Sequence, residues 1–151
     1  MREYFENPEA TTEAMTEDGY LKSGDLGYET EDGRFIYLAR MGDVLRLGGF
    51  LVAPAEIEAH LNTHPGVTGA QVVGVPTARG VRPVGFVTIE PGDMAPDTAA
   101  LREHCLAGLA KFKAPDLILQ IDEFPTTKSA NGTKIQKAKL RDMAIDAMKS
   151  P

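Results

Sequence analysis

Residues 40–58 restrict the fold of this chain more than any other stretch. Val44, Leu45 and Leu47 form one short apolar run, Phe50, Leu51 and Val52 form a second, and Gly48-Gly49 lies between them. A two-residue hairpin loop needs positive φ at its central positions, which glycine adopts without steric cost. Pro54 fits the first position of a helix, and Glu56 and Glu58 follow where carboxylates complement the helix dipole. The stretch therefore reads as strand, tight turn, strand and helix start. Such a unit occurs in many folds, so its neighbours decide.

Downstream, a helix over 54–62 places Ile57 and Leu61 on one face and ends before His64-Pro65-Gly66. Val67 to Val75 reads as a strand closed by Pro76, and Val84 to Ile89 as another ended by Pro91-Gly92-Asp93. Pro96-Asp97 opens a helix in which Leu101, Cys105 and Leu109 form one buried stripe, broken at Lys111-Phe112-Lys113-Ala114-Pro115. Leu117 to Ile121 is a short strand, Phe124 to Thr133 a loop, and a last helix from about Ile135 buries Leu140, Ala144, Ala147 and Met148. The order from about residue 43 onward is that of a small α+β domain.

Upstream, residues 1–18 are a polar, acidic lead-in, irregular or briefly helical. Asp18 to Tyr28 reads as a strand closed by a Ser23-Gly24-Asp25 turn. Asp32-Gly33 turns the chain into a second strand, Arg34 to Arg40. An isolated hairpin of this size is at best marginally stable, so residues 1–41 belong to some other body.

A chain of 151 residues holds one ordinary domain, or a small domain with part of another. Its net charge of −6 argues against a general nucleic-acid binder, which would normally be basic. The single Cys105 allows neither an internal disulfide nor a zinc cluster, which suits a reducing cytosol. No apolar run approaches the roughly 18 residues of a membrane span. The start lacks the apolar core of a signal peptide, so the expected location is cytoplasmic.

Several side chains bear on chemistry. Lys134, Lys137, Lys139 and Arg141 crowd the start of the last helix, where the dipole disfavours cations, and no acid precedes Asp142 to balance them. With Asn131-Gly132-Thr133 before it, Lys134 reads either as an anion site or as part of a solvated basic patch. The Asp25 carboxylate suits a sugar diol or its own turn backbone, and Arg40 suits a phosphate, a ribose or a surface ion pair. His60 and His64 have a zinc-like spacing, but no nearby Glu or Cys supports them and no metal site is expected. Cys105 lies on an apolar stripe and reads as packed core. Ser23 and Ser129 have no recognisable base partner, so nucleophilic catalysis is not expected.

Taken in order, these stretches resemble the C-terminal part of the adenylate-forming enzymes of the acyl-CoA synthetase family, which includes fatty-acyl-CoA ligases, luciferases and peptide-synthetase adenylation domains. Asn7-Pro8-Glu9-Ala10-Thr11 and Asp18-Gly19-Tyr20-Leu21-Lys22-Ser23-Gly24-Asp25 resemble the "NPEAT … DGW-x-x-TGD" stretch near the end of the family's large domain. Leu38-Ala39-Arg40-Met41-Gly42-Asp43 resembles its "GR-x-x-D" linker, and Gly49 through Leu61 the following "G-x-x-V-x-P-x-E-I-E-x-x-L". Lys111 to Pro115 is similar to the "YK-x-P" element, and Phe124-Pro125 through Arg141 to the closing "LP…GK-I-x-R…LR".

The resemblance implies an α+β fold with a β-hairpin and a small three-stranded sheet flanked by helices. It assigns residues 42–151 to the mobile C-terminal domain and residues 1–41 to the last strands of a missing large domain. It further implies that Asp25 and Arg40 bind the adenosine ribose and phosphate side, and that Lys134 bridges the substrate carboxylate and the α-phosphate as pyrophosphate leaves. Gly42 and Asp43 would form the hinge, and Arg46, Gly48 and Gly49 would line the tunnel for the CoA pantetheine arm. The implied reaction joins a carboxylic acid, a fatty acid by family frequency, to CoA through an acyl-adenylate. ATP and CoA would be required, with Mg bound mainly by the missing large domain.

Three departures accompany the resemblance. The hinge position, usually Asp or Lys, is Gly42; Thr133 interrupts the "GK" dipeptide; and Gly74 to Val81, read as a surface loop, lacks the family's acidic residues. The phosphate loop and acyl pocket lie upstream in the family and are not in this chain, which alone is expected to be inactive. The alternatives are a stand-alone module that binds a nucleotide or partner, and an adenylation domain feeding a carrier protein. No carrier-like segment follows Pro151, which favours CoA as acceptor.

Overall fold

The computed structural model describes residues 3–90, 96–129 and 132–149. The expected strand terminator Pro91-Gly92-Asp93 and the loop residue Asn131 lie outside the described residues. The chain divides into two compact units, Met1–Gly42 and Asp43–Pro151.

The first unit opens with α1 (Pro8–Ala14), whose start is set by Pro8 at the first helical position and by Asn7, which accepts the Ala10 N–H at 3.0 Å. No residue of α1 is buried. An isolated bridge joins Met15 to Leu21, and an antiparallel pair follows, β1 (Asp25–Glu29) and β2 (Phe35–Arg40). The first strand thus begins at Asp25, not at Asp18, and the Ser23-Gly24 turn precedes it. Gly24 takes a positive φ of 76°, and the Ser23 hydroxyl accepts the Asp25 N–H at 3.2 Å, which bends the chain before pairing starts. Phe35 and Tyr37 on one face of β2, and Ile36 and Leu38 on the other, are all exposed; among the described residues of this unit only Ala39 is buried.

The second unit is a three-layer arrangement around a sheet of order β5-β6-β7, formed by β5 (Val67–Thr77), β6 (Gly80–Ile89) and β7 (Leu117–Gln120). β5 and β6 are antiparallel and β6 and β7 parallel, the crossover between the last two being α3 (Thr98–Gly108). One face carries the hairpin β3 (Leu45–Leu47) and β4 (Phe50–Val52), helix α2 (Pro54–Leu61) and α3. Their Leu47, Val52, Ile57, Leu61, Leu101 and Cys105 pack on Val72, Val87 and Ile118. The other face carries α4 (Lys137–Lys149), whose Leu140 and Ala144 cover Val73, Val75, Val84 and Phe86. Neighbouring residues of each strand alternate between the two cores, as the pleat requires. The three-stranded sheet flanked by helices is the α+β architecture expected from the sequence.

The hairpin turn has the expected form, with φ of 57° at Gly48 and 90° at Gly49. Helix α3 starts where Asp97 caps it, accepting the Ala100 N–H at 2.6 Å.

Other elements depart from the reading. Strand β5 runs through Pro76 to Thr77, because β5 is an edge strand and tolerates a residue without an N–H. Gly74 to Val81 is accordingly two paired strand ends and a short turn, with Gly80 at a φ of 95°. The segment read as a loop over 124–133 forms a hairpin, β8 (Thr126–Ser129) with β9 (Gly132–Ile135). Helix α4 therefore begins at Lys137, after this hairpin has closed, and not at Ile135. Ala147 is half-buried and Met148 exposed, so the buried stripe of α4 ends at Ala144 with Ile145 packed beside it.

Candidate functional site

Asp25 and Arg40 face each other across β1 and β2 as register partners. Arg40 Nε lies 3.0 Å from Asp25 Oδ1, and Arg40 Nη1 donates to the Ser23 carbonyl at 2.9 Å. The Met41 N–H donates to Gly24 O at 2.8 Å, so the Ser23-Gly24 turn folds over the guanidinium. The ion-pair reading of Arg40 thus holds, its partner being the Asp25 carboxylate, so that a carboxylate and a guanidinium stand side by side. The Asp25 side chain keeps 30 % exposure and Arg40 62 %. A carboxylate has about four acceptor directions and a guanidinium five N–H donors, so the pair retains capacity for a diol and an anion together.

Lys134 lies on β9 opposite Thr127, exposed, three residues before the helix. The placement of Lys134 at the helix start is therefore corrected: Lys134 is a strand residue, and the cation at the first position of α4 is Lys137. Its hairpin is fastened to α4 by Gln136. The Gln136 side-chain amide donates to Thr126 O at 3.1 Å and to the Thr127 hydroxyl, its N–H donates to Pro125 O at 2.8 Å, and its carbonyl accepts the Leu140 N–H at 3.2 Å. Among the described residues Lys134 forms no ion pair. Lys137, by contrast, is balanced by acids from distant parts of the unit, at 3.7 Å from both Asp43 Oδ2 and Glu58 Oε1.

The glycine hairpin rests on the segment after α3. A Cβ at Gly48 would lie 3.7 Å from Phe112 Cβ, and the Phe50 and Phe112 rings stack with centroids 5.0 Å apart. Arg46 is exposed in the middle of β3, opposite Leu51. Gly42 has open space where a side chain would stand, and Asp43 is the first residue of the second unit. Lys134 stands on the hairpin leading into α4, the helix of one sheet face; Gly48 and Gly49 belong to the hairpin packed on the other.

The three imidazoles form a cluster that periodicity did not indicate. His60 and His104 stack with centroids 4.5 Å apart, and His64 meets His104 edge-on at 5.3 Å. His60 Nε2 is 3.0 Å from the His104 carbonyl, His104 Nε2 is 2.9 Å from Thr63 Oγ1, and the Gly66 N–H donates to His64 Nδ1 at 3.3 Å. His60 on α2 and His104 on α3 thus pack these helices together, with His64, in the turn after α2, edge-on to His104. No grouping of three metal-ligating side chains occurs among the described residues. Cys105 is fully buried, and burial pushes its thiol up to about 11.

Residues 56–131 match the family model described as AMP-binding enzyme C-terminal domain. The chain belongs to this family. It is 41 % identical over 145 residues to the sulfoacetate–CoA ligase of Cupriavidus necator, a match covering 95 % of this chain and 28 % of the relative. Among solved structures, ATP-bound MatB from Rhodopseudomonas palustris superposes with a TM-score of 0.85 at 34 % identity, covering 97 % of this chain and 28 % of that one. The O-succinylbenzoate coenzyme A synthetase of Bacillus subtilis, in complex with AMP, superposes with a TM-score of 0.77 at 30 % identity, covering 94 % of this chain and 28 % of that one. The chain thus spans little more than a quarter of the length of these relatives. The family is that of adenylate-forming enzymes, with acid–CoA ligases among its members. Among the described residues no helix is long and apolar enough to cross a membrane.

Proposed function

We propose that this chain is the mobile C-terminal portion, with the last strands of the large domain, of a longer ATP-dependent acid–CoA ligase working in the cytoplasm on a fatty or other apolar carboxylic acid. The observation that carries the reading is Lys134, an exposed lysine without an ion-pair partner among the described residues, on a hairpin fastened to the body of a family domain. In the first half-reaction a carboxylate oxygen of the acid attacks the α-phosphorus of ATP. Pyrophosphate leaves with the electron pair of the broken P–O bond, and an acyl-adenylate forms. Lys134 supplies a fixed positive charge between the carboxylate and the α-phosphate, where charge shifts in the transition state. Asp25 accepts from the ribose hydroxyls, and Arg40 orients Asp25 and faces the phosphate side.

In the second half-reaction the CoA thiolate attacks the acyl carbonyl carbon and AMP leaves. The second unit swings at Gly42-Asp43 between the two steps, withdrawing Lys134 and bringing the hairpin of Arg46, Gly48 and Gly49 to the pantetheine arm. Mg would be held mainly by the large domain, and the isolated chain forms no adenylate.

Lys134→Ala in the full-length enzyme tests this assignment. ATP–pyrophosphate exchange should fall by about a hundredfold or more, the scale of losing one charge-stabilising group. Thioester formation from supplied acyl-adenylate should change little. Equal loss in both half-reactions, or none in exchange, overturns the role of Lys134.

A further inference from the structure

Lys137 occupies the first position of α4, where the helix dipole opposes a cation. Its ammonium lies 3.7 Å from Asp43 Oδ2 and 3.7 Å from Glu58 Oε1. Asp43 is the first residue of the second unit, next to Gly42. Glu58 is on α2, and the same Oε1 accepts the Val72 N–H of the edge strand β5 at 2.9 Å. The three side chains are mostly shielded, with exposures of 30 % for Lys137, 37 % for Asp43 and 15 % for Glu58. Without the ammonium, two carboxylates would meet uncompensated at this corner. One cation thus ties the entry of the unit, α2, β5 and the start of α4 together. Lys134 is three residues upstream, on the hairpin that Gln136 fastens to the same helix start.

We infer that Lys137 is a positioning residue that acts through Lys134, clamping the β9–α4 junction to Asp43 and Glu58 so that Lys134 moves with the body of the unit as one rigid piece. Asp43 is thereby anchored within the unit, which narrows the hinge proposed at Gly42-Asp43 to Gly42 and the residues before it. This inference rests on the catalytic role proposed for Lys134.

The test uses the full-length enzyme and four variants, Lys137→Met, Lys137→Arg, Lys134→Ala and the double variant of Lys134→Ala with Lys137→Met. Lys137→Met should slow ATP–pyrophosphate exchange about tenfold with little change in KM for ATP, the mark of a misplaced group in place of a lost binding contact. Thioester formation from supplied acyl-adenylate should be nearly unaffected, and Lys137→Arg should recover most of the exchange rate. In the Lys134→Ala background Lys137→Met should cost nothing further, because the group it positions is gone. A further tenfold loss in that background, or equal loss in both half-reactions, overturns the inference. Amide exchange in residues 132–136 gives a readout independent of activity: Lys137→Met should speed it and Lys137→Arg should not, and unchanged exchange in Lys137→Met also overturns the inference. If Lys134→Ala itself leaves ATP–pyrophosphate exchange intact, the assigned function fails, and the amide-exchange result then decides the clamp alone.

Discussion

His60 lies so close to Gly108 that a Cβ on the glycine would sit 2.0 Å from the imidazole Cε1. Gly108 ends α3, and its missing side chain lets α2 approach until His60 and His104 stack. Exposed helix positions normally favour Ala over Gly by about 1 kcal/mol. Here the steric term wins, because the ring is held by its stack and by the His104 carbonyl and cannot simply swing aside. Gly108→Ala should therefore destabilise the chain by roughly 1–3 kcal/mol, the range for overpacking. Urea unfolding measures it, and His60→Ala in the same background should relieve part of the loss. A stabilised Gly108→Ala would show that the contact between α2 and α3 is loose.

The ion pair of Arg40 and Asp25 joins two partly exposed side chains, and such pairs contribute about 0–1 kcal/mol. Arg40→Gln should leave the unfolding midpoint of the chain nearly unchanged. In the proposed full-length ligase it should raise KM for ATP, because the guanidinium is proposed both to orient Asp25 and to face the nucleotide. Steady-state kinetics in ATP decides it. A large loss of stability with unchanged KM would return the pair to a structural role.

Much of the fold was legible because its signals are local. Gly48-Gly49, Pro54, Asp97 and the spacing of Leu101 and Cys105 each act within a few residues of themselves, and the elements they announce are in place. The last hairpin was not legible, since Thr126, Thr127, Lys128 and Ser129 show no apolar alternation and the cluster of lysines that follows looks continuous with α4. Lys134 was read at the start of the last helix, whereas the structure places it on β9. Non-local partners were beyond reach. His104 meets His60 across 44 positions, and the acids that balance Lys137 come from the far end of the unit. At Asp25 and Arg40 both residues were identified separately; only strand register shows that they touch.

Gly49 sits at a φ of 90° with no atom within 4 Å of where a Cβ would stand. Gly49→Ala therefore costs backbone strain and no clash, about 1–2 kcal/mol, while Asn tolerates such a backbone better. Both variants place a side chain where the CoA arm is proposed to pass. In the full-length enzyme they should slow thioester formation from supplied adenylate while sparing ATP–pyrophosphate exchange, Asn included despite its milder strain. An effect that tracks the strain in place of the added bulk would count against the tunnel.

Cys105 gives the chain a stability slope at alkaline pH. Its thiol is 0 % exposed among Leu101, Ile57 and Leu61, and burial raises it from an ordinary 9.0 to about 11. Below pH 9 the thiol is protonated whether the chain is folded or not, and its contribution is fully present. Between pH 9 and 11 the unfolded chain releases the proton and the folded chain does not, so unfolding is favoured progressively. The loss is bounded at about 2–3 kcal/mol. Lysines and tyrosines titrate in the same window, so the comparison is between the chain and Cys105→Ala, with urea midpoints taken at pH 8, 9 and 10. Cys105→Ala should start lower, through the small cavity it leaves, and fall less steeply. Parallel slopes would mean that the thiol is less shielded than its packing indicates, and native Cys105 would then also react with an aromatic disulfide at pH 8 without prior unfolding.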